Sequence, residues 1–222
     1  PVSKYAKAYK PGSSVQKNAR PHIGKKKILK LDIEGFFDHI LYSHVKDIVF
    51  NEEKYSDSVR ILLTILCYHN DSLPQGAPTS PAVTNIIMYD FDETVGAFCD
   101  EKNIAYTRYC DDMTFSGDLN EQEIISFVKN ELSKLCLHLK NRKTAVVPAT
   151  KRQCVTGIVV NEKMNITKNY RKKVRQEVYY IRKFGLDGCL NKTGISDKEQ
   201  YLLSLKGKIA FVLQTIPKDS EF

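Results

Sequence analysis

At 222 residues, with 42% hydrophobic and 27% charged side chains, the chain has the make-up of an ordinary soluble globular protein with a sizeable core. A formal net charge of +8 favours a polyanionic partner, nucleic acid before membrane, and no apolar run reaches membrane-spanning length. The six cysteines are widely and irregularly spaced, which speaks against zinc and for free thiols in a reducing cytoplasm.

No signal-peptide pattern opens the chain. It begins on Pro1 in sequence that reads as the middle of a domain, so a fragment of a longer protein is expected. Residues 1–27 are basic and lack apolar periodicity. Turn signals fall at Pro11-Gly12-Ser13-Ser14 and Pro21-His22-Ile23-Gly24, and Lys25-Lys26-Lys27 reads as a solvated face or a phosphate contact.

Lys27–Ile33 alternates as a strand and carries Asp32 near its end, where a rigid backbone meets an open edge. Asp32 alone would equally serve as a cap for the turn that follows. A helix is expected through Ser43–Val49. Residues 55–69 carry Val59, Leu62, Leu63, Ile65 and Leu66 at helical spacing, as a core helix would. Leu73–Pro81 is a loop stiffened by three prolines, feeding one long helix over Ala82–Cys99. Within the loop, Gly76 is a turn residue or a place where a ligand approaches the backbone closely.

Ile104–Gly117 has strand formers on both sides of Asp111-Asp112, a hairpin whose turn presents two acids. An isolated Asp-Asp pair is commonly an exposed turn. Burying either acid unpaired would be costly, and a divalent cation with hard oxygen ligands removes the difficulty. An amphipathic helix over Glu121–Leu137 follows, capped by Asp118 or Asn120. A strand at Ala145–Val147 and a second hairpin, Cys154–Val160 with Asn165–Thr167, come next. From Lys168 the composition shifts: Asn169–Phe184 is a basic helix bearing Tyr179 and Tyr180, a loop covers Gly185–Gly194, and a last helix runs from about Ser196 to Thr215. A domain boundary near residue 168 divides 1–167 from 168–222.

The order is a strand-end acid, a Gln-Gly loop with its helix, then a two-acid hairpin. Two-metal phosphoryl transfer needs carboxylates from separate elements converging on cations about 4 Å apart. Asp32 and Asp111 meet that need if their strands are neighbours, with Asp112 near enough to assist.

Leu31-Asp-Ile-Glu-Gly-Phe-Phe-Asp-His-Ile40, Leu73-Pro-Gln-Gly-Ala-Pro-Thr-Ser-Pro81 and Tyr109-Cys-Asp-Asp112 together resemble the core motifs of reverse transcriptases. The resemblance spans about residues 5–217. Asn18-Ala-Arg-Pro-His22 and Val155-Thr-Gly157 are similar to signatures of the bacterial retron type. It implies an α+β right-hand polymerase: a palm with part of the fingers over 1–167 and a partial helical thumb over 168–222.

The implied activity is RNA-directed DNA synthesis from dNTPs with two Mg²⁺ ions. The implied partners are an RNA template and primer, for a retron a structured non-coding RNA, with a role in phage defence. A group II intron maturase or another prokaryotic reverse transcriptase is the alternative within the class, and a non-catalytic RNA-binding module the alternative outside it.

Carried over residue by residue, Asp32, Asp111 and Asp112 would bind metal, with the carbonyl of Ile33 a further ligand. Phe37 would be the aromatic gate that excludes a 2′-hydroxyl. Gln75 and Gly76 would line the nucleotide pocket. Lys143 would act as general acid to the pyrophosphate, or simply contact phosphate. The hairpin after Cys154 would be the primer grip. Arg171, Lys172, Arg175 and Tyr179 would face the duplex backbone from the thumb, where the alternative is an ordinary exposed helix. Two departures stand out: Cys110 sits where these enzymes mostly have Ala, and the family's early fingers segment would lie before Pro1. The thumb also stops early, at Phe222.

Overall fold

A computed structural model of the chain describes residues 1–193 and 197–217. Its centre is a four-stranded antiparallel sheet in the order β2-β3-β1-β4, made of β1 (Lys27–Asp32), β2 (Ala105–Tyr109), β3 (Asp112–Gly117) and β4 (Ala145–Pro148). Alternation along β1 divides its side chains between two cores. Leu29 and Leu31, with Ile33 just beyond, enter the main core beside Met113 and Phe115 of β3. Ile28 points to the other face and joins a smaller core with Ala19, Val155, Ile158 and Val160. Lys30 and Asp32 share that second face.

Helices back the main core. They are α4 (Ser80–Ile87), α5 (Tyr89–Glu101) and α6 (Glu121–Ser133); α1 (Val15–Ala19), α2 (Tyr42–His44) and α3 (Asp57–Cys67) precede them. The π-helical turn Val45–Val49 continues α2. Asn120 caps α6, its side chain accepting from the backbone N–H groups of Gln122 and Glu123. Gly96 of α5 lies directly against the Tyr5 ring, so any Cβ there would collide with the ring. A small sheet of β5 (Cys154–Val155), β6 (Ile158–Val159) and β7 (Asn165–Ile166) follows, then α7 (Lys168–Thr193) and α8 (Lys198–Thr215).

The expected α+β class holds, but several elements differ from expectation. The apolar residues of α3 face outward: Leu62 is 56% and Leu66 70% exposed, whereas Arg60, Thr64 and Cys67 are buried. Arg60 sets this rotation. Its guanidinium donates to Asp47 at 2.7 Å and to the Phe50 carbonyl at 2.8 Å, interactions that outweigh the apolar stripe. The single helix over Ala82–Cys99 is two, broken at Met88, whose ψ of 3° leaves the helical range.

Cys154–Val160 is not one strand. It folds back at Thr156-Gly157, both at positive φ, and pairs with itself before β7. The loop expected from Gly185 is mostly helix: only Gly185, at φ 72° and ψ 168°, departs from helical geometry. Beyond it Leu186, Cys189 and Leu190 pack with Tyr201 of α8, and that burial favours helix over loop. Gly194 and Ser196, the expected ends of the loop and of the last helix, lie outside the described residues. Helix α8 starts at Lys198, with the Asp197 carboxylate accepting from the Gln200 N–H at 2.9 Å. Among the described residues no helix is long and apolar enough to cross a membrane.

Candidate active site

The register of the central sheet puts Asp32 directly opposite Asp112, the last pair of the β1–β3 ladder. Met113 and Phe115 take the core face of β3, so Asp112 shares the other face with Thr114 and Ser116, the face that also carries Asp32. Asp111 sits in the turn between β2 and β3. Its carbonyl accepts from the Ile33 N–H at 3.1 Å, tying the turn to the end of β1. Cys110 makes the reversal possible by taking φ 61°, a left-handed conformation.

One end of this sheet face is closed and the other open. His22 lies across the closed end, its ring nitrogens bonded to Ser116 Oγ at 2.7 Å and Thr107 Oγ1 at 2.8 Å. Burial pushes its imidazole down to about 3, so the ring is neutral. The acids occupy the open end. There Asp32, Asp111 and Asp112 line a cleft of about 550 Å³ together with Ile33, Phe37, Gln75 and Lys143. Gly76 lines an adjoining cavity of about 590 Å³ that shares Phe37 and Gln75 with the first. Its φ of 92° is one that only glycine adopts without strain, and a Cβ there would point into open space.

The electrostatics follow from crowding. Desolvation, then the charges of Asp111 and Asp32, push the Asp112 carboxyl above its ordinary range. Lys143 pulls it the other way and forms an ion pair with Asp32, whose side chain is 4% exposed. The hydrogen bond to Asp32 raises the Lys143 ammonium above its usual value.

The donors are of the right kind for Mg²⁺: hard carboxylate oxygens on converging strands, with like charges that a cation would relieve. Their side chains are not in a ligating arrangement, and among the described residues no group of three His, Cys, Asp or Glu is. The Lys143 ammonium instead supplies the countercharge that buried Asp32 requires.

Thus Asp32, Ile33, Phe37, Gln75, Asp111, Asp112 and Lys143 come together in one cleft, with Gly76 beside it. Arg171, Lys172, Arg175 and Tyr179 do not line it and lie apart on α7. Tyr179 is 53% exposed there, with the Lys183 ammonium 5.7 Å from its ring centre.

Two residues escaped notice in the sequence. Tyr9 lines both cavities. Arg108, fully buried, clamps Asp92 of α5 with two hydrogen bonds of 2.8 and 2.7 Å. It also donates to the Cys110 carbonyl at 2.9 Å and so holds the acid-bearing turn. An arginine in the middle of a strand was the available signal for the second.

Comparison with known proteins gives the family. The family model described as reverse transcriptase (RNA-dependent DNA polymerase) matches residues 2–160. The retron Ec86 reverse transcriptase of Escherichia coli is 30% identical over 81% of this chain and 57% of its own length. The retron Mx65 reverse transcriptase of Myxococcus xanthus is 26% identical over 100% of this chain and 54% of its own. The chain therefore spans little more than half the length of these curated relatives. Among solved structures, apo telomerase from Candida tropicalis, truncated from its C-terminal domain, superposes with a TM-score of 0.50. It does so at 14% identity over 64% of this chain and 35% of that one, a likeness of fold alone. The chain belongs to the reverse transcriptase (RNA-dependent DNA polymerase) family, among whose members it is similar to the retron enzymes.

Proposed function

We propose that this chain carries the catalytic palm of a retron-type RNA-directed DNA polymerase, which adds dNTPs to a primer 3′-hydroxyl on an RNA template. The observation that carries this is the pairing of Asp32 with Asp112 across β1 and β3, beside Asp111 and in one cleft with Phe37 and Gln75. Residues 1–167 form the palm with part of the fingers, and 168–222 a partial helical thumb.

Asp32, Asp111 and Asp112, with the Ile33 carbonyl, would hold two Mg²⁺ ions. These supply a lowered pKa for the attacking hydroxyl and countercharge for the phosphates. Phe37 lies under the sugar and excludes a 2′-hydroxyl by bulk. Gln75 and the bare backbone of Gly76 line the nucleotide pocket. Lys143, now paired with Asp32, would be free to reach the phosphates where a cation supplied that countercharge, and could there donate a proton to the leaving pyrophosphate or neutralise it. Arg171, Lys172, Arg175 and Tyr179 grip the duplex backbone. The template is a structured non-coding RNA, the enzyme is cytoplasmic, and its biological role is phage defence.

One observation favours a second reading, a non-catalytic RNA-binding module: Asp32 already has its countercharge in Lys143. Primer extension by the full-length protein on an RNA template, with Mg²⁺ and either dNTPs or NTPs, separates the two. Extension with dNTPs that Asp111→Ala abolishes is expected. No extension on any RNA template, with RNA binding indifferent to Mg²⁺ and to Asp111→Ala, would leave the binding module.

A further inference from the structure

The backbone leading into Tyr9 is held from two sides. Ahead of it, residues 5–8 run along the free edge of β2: Arg108 N–H donates to the Tyr5 carbonyl at 3.0 Å, and Lys7 N–H to the Arg108 carbonyl at 2.8 Å. The Ala8 carbonyl accepts from the side-chain amide of Asn85 at 3.1 Å, and Asn85 Oδ1 accepts in turn from buried Arg108 at 3.2 Å. The network that fixes Cys110 therefore also fixes the backbone just before Tyr9.

The residue is not one a simple turn would select. Its φ is 52°, a conformation that Gly or Asn adopts at lower cost than an aromatic residue. The residue is 59% exposed, so burial in the core does not repay that strain. Instead the ring forms part of the wall of both cavities, the one with the three acids and the one with Gly76. Phe37 and Gln75 are the other residues common to both. An aromatic face held at the junction of a phosphate-chemistry cleft and a nucleotide pocket is suited to pack on a base or sugar.

We propose that Tyr9 is a nucleotide-binding residue of the polymerase site, its ring packing on the incoming nucleotide from the wall that Phe37 and Gln75 share with it. This rests on the polymerase reading above. Recognition is by the ring face, so it is tolerant of base identity, and it adds to ground-state binding of the nucleotide. Phe37 discriminates by bulk at the sugar, whereas Tyr9 supplies attraction.

The test is steady-state single-nucleotide incorporation by the full-length protein on an RNA template, comparing wild type, Tyr9→Ala and Tyr9→Phe for each dNTP. Tyr9→Ala is expected to raise the dNTP KM about tenfold for all four nucleotides, with a much smaller change in kcat. Tyr9→Phe, which keeps the ring, is expected to bring KM back to within about twofold of wild type. An unchanged KM in Tyr9→Ala, or a fall in kcat at constant KM, would overturn the proposal while the polymerase reading stands. Should wild type itself fail to incorporate any nucleotide, the polymerase reading falls and this proposal with it. Thermal unfolding of Tyr9→Ala at the wild-type temperature shows that a KM change is not misfolding. If Tyr9→Ala unfolds early, Tyr9→Leu takes its place, with the same rise in KM expected and the same overturning result.

Discussion

The side-chain amide of Asn18 donates to the hydroxyl of Thr156 across 3.4 Å, joining residues 138 positions apart. Thr156 Oγ also donates to the Val15 carbonyl, so the turn between β5 and β6 is stitched to α1. The two short signatures, Asn18–His22 and Val155–Gly157, are thus two halves of one joint over the smaller core. Asn18 is 1% exposed, and its Oδ1 has no hydrogen-bond partner among the described residues. Asn18→Ala should therefore cost only about 1 kcal/mol, the net worth of one ordinary hydrogen bond. Asn18→Asp places an unpaired carboxylate in the same site and should cost more than about 2 kcal/mol at neutral pH. Urea unfolding of both variants checks the order; equal losses would mean that the site is open to water.

A second prediction concerns the buried pair beneath the acid-bearing turn. Arg108 and Asp92 are both 0% exposed, and Tyr106 adds a hydrogen bond to Asp92 at 2.9 Å. Removing one charge strands the other, so Arg108→Met should destabilise by about 3–5 kcal/mol. Arg108→Met combined with Asp92→Leu should be less harmful than the sum of the single changes, since no charge is left unpaired. Denaturant unfolding of the four proteins measures this. Strict additivity would show that the pair is not coupled.

The pH dependence of stability should carry the mark of His22. Its folded-state value is depressed from 6.5 to about 3, so below pH 6.5 the unfolded chain binds a proton that the folded chain refuses. The contribution is whole above pH 6.5 and is lost as pH falls towards 3. Between pH 6.5 and 5 the loss is roughly 2 kcal/mol. His22→Gln, which keeps hydrogen-bonding atoms without a titrating ring, should flatten that part of the profile. The measurement is the difference in unfolding free energy between the two pH values for each protein. A wild-type profile as flat as that of the variant would count against a neutral, buried His22.

The strand ends bearing the acids were legible in sequence because alternation is local: Leu29, Leu31, Met113 and Phe115 announce a core face, and Asp32 and Asp112 fall on the other. The rotation of α3 was not. Periodicity marks an apolar stripe but cannot say what covers it, and here the Arg60 bonds to Asp47 and Phe50 decide which side turns inward. Met88 likewise gave no breaker signal between α4 and α5, having ordinary helix propensity. At the site, the acids, Phe37 and Gln75 were found by type and spacing. Tyr9 could not be, because what distinguishes it is a positive φ and a place in the wall of both cavities, neither of which its own residue type announces.

A divalent cation held as proposed would compete with Lys143 for the Asp32 carboxylate. The ammonium pairs with Asp32, whose side chain is nearly fully buried, while the lysine side chain itself is 53% exposed. Solvent screening on the lysine side limits the pair to about 1 kcal/mol of stability. In EDTA, Lys143→Met should therefore lower the unfolding temperature by a few degrees, because Asp32 is left without countercharge. Adding Mg²⁺ should stabilise both proteins, since binding to the folded state alone shifts the equilibrium by mass action. The gain should be larger in Lys143→Met, where the ion has no ammonium to displace, and should vanish in Asp32→Asn combined with Asp111→Asn. Thermal unfolding of the three proteins with and without Mg²⁺ separates the outcomes. An equal Mg²⁺ gain in wild type and Lys143→Met would show that the lysine and the cation occupy different places. No gain in either would argue that these acids do not bind the ion.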